Sequence, residues 1–145
     1  SIPDTETIVS ASLYIKDKNS SFSDTDTDTL TIVSASPASD SSLSTADFDA
    51  FGTTSYGSLA LSSRVANAYN AITLNATGLA AINKTGTTRL GLRMAKDISA
   101  TQPSGINRMA TYAVNRTGTA EDPYLEVITA TASAVLQPAF FLNFV

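Results

Sequence analysis

Asp24, Asp26 and Asp28, in the stretch "SDTDTDT", are the densest group of chemistry-bearing side chains in the chain. In an extended segment, alternate positions project to one side, so the three carboxylates can share a hard cation such as calcium. The helix–loop–helix calcium pattern is not met. Thr29 stands where that loop needs glycine, and Ala35 where it needs a bidentate glutamate. The competing reading of the same residues is a solvated acidic hairpin whose charges discourage edge-to-edge pairing.

Other carboxylates, Asp47, Asp49, Asp97, Glu121, Asp122 and Glu126, supply the residue type for glycoside hydrolysis, but no spacing fixes a separation between any two of them. Asp47 and Asp49 read instead as helix-start residues. The chain has neither histidine nor cysteine. The commonest general base, the commonest transition-metal ligands and the thiol nucleophile are therefore absent, and serine and threonine lack a histidine to activate them. No catalytic residue is expected.

Sugar binding on a β-scaffold uses exposed aromatics for stacking, and with no tryptophan the candidates are Tyr56, Tyr112 and Tyr124. Core or strand-end anchoring is the alternative role for each. Four Asn-x-Ser/Thr sequons, at Asn19, Asn75, Asn83 and Asn115, offer N-glycosylation sites, although helix capping accounts equally well for Asn75.

Net charge is −4 with 15% charged residues, against about 25% in ordinary soluble domains. The nine Lys and Arg are scattered, so nucleic acid is not an expected partner. Ser and Thr make up about a quarter of the chain. A surface solvated by small hydroxyl residues suits an extracellular, cell-surface or virion setting. The opening "SIPDTETIV" has no signal-peptide pattern and reads as a processing or boundary product. No apolar run approaches the roughly 20 residues of a membrane span.

These residues must be positioned by β-structure, since short alternating runs separated by polar turns repeat along the chain. In "TIVSASLYI", Val9, Ala11, Leu13 and Ile15 share one face and Ser10 and Ser12 the other. "TLTIVSAS", "SLALS", "YNAITLN", "TRLGLRM", "ATYAVN", "YLEVIT" and the terminal "AFFLNFV" bring the count to about eight strands. The expectation is an all-β antiparallel sandwich, jelly-roll-like, in one 145-residue domain with one or two short helical turns. One turn starts at the N-cap Asn75, with Leu79 and Ile82 on one face. The other lies in "SLSTADFDAFG", with Phe48 and Phe51 at i, i+3 anchoring the loop on the core. "KNSSFSDTDTDT" and "TQPSGINRM" read as loops.

The stretches "SIPDTETIVSASLYI", "YNAITLNATGLAAINKTGTTRLGLRMAKDI" and "GTAEDPYLEVIT", in that order, resemble the DNRLRE-type β-sandwich domains of bacterial surface and phage-associated proteins. The resemblance implies a fold similar to carbohydrate-binding modules. Such domains usually open with an apolar strand just before the "SIP" entry. Here a segment of that character, Phe140, Phe141, Leu142, Phe144 and Val145 within 139–145, stands at the other end, after a body spanning 1–129 and a small-residue linker at 130–138. The order is similar to a circular permutation. A sandwich missing one strand leaves an apolar groove edged by unpaired backbone groups. The segment can fill its own groove, or enter a neighbour's as in donor-strand assembly, or belong to one unit of a covalent tandem array. The expected function is a structural subunit of a fibre built from copies of itself, with a carbohydrate-binding or adhesive module as the alternative.

Overall fold

The computed structural model describes residues 1–39, 42, 44–113 and 118–131. The fold is all-β, with antiparallel pairing throughout and only short helical turns. In one sheet the long strand β1 (Glu6–Asp24) pairs β4 (Tyr69–Thr73) on one side, and β7 (Tyr124–Thr131) and then β6 (Asn107–Thr111) on the other. The second sheet has β2 (Thr29–Ser34) between β3 (Gly57–Ala60) and β5 (Leu90–Met94). Ala11, Ile15, Ile72 and Leu74 from the first sheet meet Leu30, Ile32 and Leu61 from the second in one buried cluster, with Ile82 closing an end. The result is a sandwich. β7 carries the body two residues past the expected limit at 129. The remainder of the linker and the strand at 139–145 lie outside the described residues.

Strand β1 follows the expected pattern only from Ala11 onward. A register shift between Ile8 and Ser10 turns Val9 outward, where it is exposed, while Ile8 packs on the core in its place. Such a bulge puts an extra residue into one strand and reverses the facing before it. β1 also runs on through the segment read as a loop. Phe22 pairs Met109 and both pack against the core, so "KNSSFSD" and "INRMAT" are partner strands whose polar residues hide their period.

Among the described residues the helical turns number four. Asn75 caps α1 (Ala76–Ala80), its Oδ1 accepting from Gly78 N at 2.9 Å, and the helix stops well short of Gly86. Gly78 is required by crowding, since a Cβ there would lie 2.6 Å from the Tyr56 carbonyl oxygen. Single 3-10 turns span Thr45–Asp49 and Leu61–Ser63, and α2 covers Ala95–Ile98. Among the described residues no helix is long and apolar enough to cross a membrane.

Candidate functional site

The edge of β5 on which no described strand pairs is the most unusual surface of the sandwich. Ile32 is fully buried, and its direct cross-strand partner Leu92, on the same inward face, is 36% exposed. Residues opposite each other in an antiparallel pair share a face, so Leu92 belongs to the core row and lacks a neighbour beyond it. The backbone is open in the same place. Arg89 gives its carbonyl to Ala35 N of the β2 side. By alternation Arg89, Gly91 and Arg93 address β2, and Leu90, Leu92 and Met94 address the side on which no described strand pairs.

The outward side of this edge is built by the Thr45–Asp49 turn. Asp47 is buried, and its carboxylate accepts from Ala38 N at 2.8 Å, from Ser44 N at 2.7 Å and from Ser44 Oγ at 3.2 Å. The backbone N–H of Ala38, followed by that of Ser44, holds the Asp47 carboxyl below its ordinary range. The expected loop anchors are therefore half corrected. Phe51 does anchor the loop: its backbone bridges Ala35, and its ring lies where a Cβ on Gly91 would be, 2.3 Å away. Phe48 does not, being 85% exposed. With Asp47 as the buried anchor, the next side chain along the turn points to solvent. Phe48, Phe51, Leu92, Arg93 and Met94 line a groove of about 430 Å³, with the Arg93–Asp97 ion pair at its end, 2.7 Å between Nε and Oδ2.

The expected calcium group is corrected by the backbone. The chain does not stay extended from Asp24 to Asp28: it turns, and Thr27 takes a positive φ of 47°. Each carboxylate then faces protein donors. Asp24 Oδ1 accepts from Asp28 N at 2.9 Å, and Asp28, itself buried, accepts from Thr29 N at 2.7 Å and Lys96 N at 3.3 Å. Asp26 pairs with Lys96 Nζ and accepts from Ser104 N at 2.8 Å and Ser104 Oγ at 2.6 Å. Lys96, then Ser104, holds the Asp26 carboxyl far below its ordinary value. Among the described residues no three acidic side chains gather to hold a metal. These bonds instead tie the β1–β2 turn to α2 and to the loop before β6.

Of the three candidate stacking residues, Tyr124 joins an aromatic cluster with two tyrosines the sequence reading passed over. Tyr14 and Tyr124 are cross-strand partners with rings stacked 4.7 Å apart, and Tyr69 meets Tyr124 edge-on at 5.3 Å. Outward parity on β1, β4 and β7 is the signal that could have grouped them. Tyr14 donates to Glu126 Oε2 at 3.4 Å, and Tyr69 to the carbonyls of Ala120 and Asp122, each at 3.0 Å. The Glu126 charge raises the Tyr14 pKa, and burial, then Tyr124, raises that of Tyr69. The stacked faces of Tyr14 and Tyr124 are turned to each other. Tyr56 packs against the core, and Tyr112 lies beside Lys18, whose Nζ is 6.0 Å from its ring centre.

Among the sequons, Asn75 uses its Nδ2 to donate to Ser55 O at 2.9 Å while it caps α1. Asn83 is exposed in a turn, its Oδ1 accepting from Thr85 N and Gly86 N. Asn115, the Asn19 side chain, and Phe140, Phe141, Leu142, Phe144 and Val145 lie outside the described residues. No family model, curated protein or solved structure matches the chain. What it does must be argued from the site's own geometry.

Proposed function

We propose that the chain is a structural subunit of an extracellular or virion-associated fibre, joined to its neighbours by insertion of the apolar strand at 139–145. One observation carries this reading: among the described residues no strand pairs the outer edge of β5, and its core-row residue, Leu92, is 36% exposed there. An added strand would complete both the ladder and the core. Three inward side chains of that strand would contribute about 1.5–3 kcal/mol each on burial. The Ser- and Thr-rich, weakly charged composition fits an exposed polymer.

Negative-stain microscopy and size-exclusion chromatography of the intact chain, beside a chain lacking residues 138–145, test the proposal. The intact chain is expected to form long or open-ended assemblies, and the shortened chain none. A shortened chain that still assembles, or an intact chain that stays monomeric, would overturn the reading.

The second reading, a carbohydrate-binding or adhesive module, draws on the Tyr14–Tyr69–Tyr124 cluster, where Tyr124 is 46% exposed, Tyr14 donates to Glu126 and Lys16 Nζ lies 5.6 Å from the Tyr69 ring centre. Glycan-array binding that disappears in Tyr124→Ala would favour it.

A further inference from the structure

We infer that the β5 edge is a two-walled slot for residues 139–145 of a second copy, and that Phe48 is the residue that selects the outward row of the incoming strand. The inference rests on the fibre-subunit reading and adds to it the acceptor's position and a selectivity residue.

Two sides of one edge are apolar at once. On the inward side Leu92 lies in the row of Ile32, flanked by Leu90 and Met94, which pack on the core. On the outward side Phe51 covers Gly91, and Phe48 stands clear of the surface. An ordinary sandwich edge meets solvent on its outward side, and a strand added there needs an apolar row only inward. This edge has use for a strand that is apolar on both rows. The sequence contains one whose rows are apolar except for Asn143. Phe140, Leu142 and Phe144 form a wholly apolar row, and Phe141, Asn143 and Val145 the other.

Size and charge agree. Fourteen residues follow Thr131, a reach of roughly 45 Å when extended. The seven of 139–145 match the five of β5 with one to spare at each end. None of the residues 132–145 carries a charged side chain, and Arg93 at the groove is already paired with Asp97. Leu90 and Leu92 supply the backbone groups that the strand would pair, while the Met94 carbonyl already caps the start of α2. Phe140, Leu142 and Phe144 then extend the core beyond Leu92, while Phe141 and Val145 close against Phe48.

The exposure of Phe48 is itself fixed by construction. Its neighbour Asp47 is pinned by three hydrogen bonds, so the ring is held out and does not swing in to cover the core. A phenylalanine 85% exposed on a pinned turn has little effect on the lone subunit, and its role appears on contact.

Phe48→Ser in the full-length chain tests the selection. The melting temperature under conditions that keep the chain monomeric is expected to stay unchanged, and assembly to weaken about tenfold or more. Unchanged assembly would overturn the slot. The fibre reading would survive that result if deleting 138–145 still abolishes assembly, because the strand would then enter elsewhere. Since the chain has no cysteine, the pair Phe48→Cys and Phe141→Cys in one chain gives a second readout. A ladder of disulfide-linked subunits on a non-reducing gel is expected. No cross-link in assembled material overturns the slot alone, whereas a cross-link confined within single, monomeric chains overturns both the second-copy occupant and the fibre reading.

Discussion

Asp17 is an acidic residue on the inward side of a β-strand, where an apolar residue would be usual, and it is 1% exposed. Arg64 Nη1 meets its carboxylate at 2.8 Å, and the guanidinium lies 3.7 Å over the Phe22 ring, so the buried charge is both paired and stacked on a ring. Removing one partner leaves the other charge buried. Asp17→Ala is expected to destabilise the fold by about 3 kcal/mol, read as a lowered urea midpoint. A shift under a few tenths would show that the arginine escapes to solvent. Asp26 bears on acid stability instead. Its carboxyl is held below the ordinary value of 3.8 by Lys96 and Ser104, so the folded state favours the ionised form. That contribution is complete above about pH 5 and fades as pH falls through 4 and lower. Asp26→Asn should flatten the acid limb of a stability profile from pH 2 to 7. An identical slope in both proteins would place the acid sensitivity in other carboxylates.

At the scale of elements, the loop that follows the Thr45–Asp49 turn holds β5 by the Phe51 ring against the bare α-carbon of Gly91 and by the Gly52 carbonyl, which accepts from Arg93 Nη1 at 3.2 Å. Gly91→Ala puts a methyl 2.3 Å from that ring. Strands tolerate alanine, so the expected loss of about 1–3 kcal/mol comes from overpacking, and it should disturb the turn before the sheet. Amide exchange around Ser44–Phe51 rising ahead of exchange in β2 would show this; equal rises in both would not. The same elements show what could be read from sequence. Ala11, Ile15, Ile32 and Ile72 were legible because strict alternation needs only the local chain. So was the Asn75 cap, a side chain bonding three residues ahead. Val9 was misplaced because a bulge depends on the partner strand. The start of Asn107–Thr111 was read as loop, with the strand placed too late at 110–115, because the period there is carried by Met109 alone, among Asn and Arg whose polarity resembles a loop. The exposure of Phe48 was hidden for a different reason: i, i+3 spacing suggests one face, but Phe51 lies beyond the turn's end at Asp49, in extended backbone, and the period does not carry over.

For the molecule as a whole, the proposed reading makes completion of the β5 edge, on which no described strand pairs, and assembly one event, and that permits a test without any fibre. A peptide carrying the sequence of 138–145, flanked by lysines for solubility, should occupy the slot of a chain that lacks those residues. Because it binds the folded state alone, its stabilisation grows with concentration, reaching about 2.7 kcal/mol at one hundred times its dissociation constant. The melting temperature of the shortened chain should therefore climb steadily with added peptide. A peptide with Phe140, Leu142 and Phe144 replaced by serine should give no rise, since its inward row offers nothing to the core beyond Leu92. Salt should matter little, because the contacts are apolar and main-chain and the strand is uncharged. If both peptides act alike, the gain comes from nonspecific apolar contact. If the shortened chain already melts cooperatively and neither peptide moves it, the sandwich is complete without the strand, and the apolar β5 edge must serve some other contact.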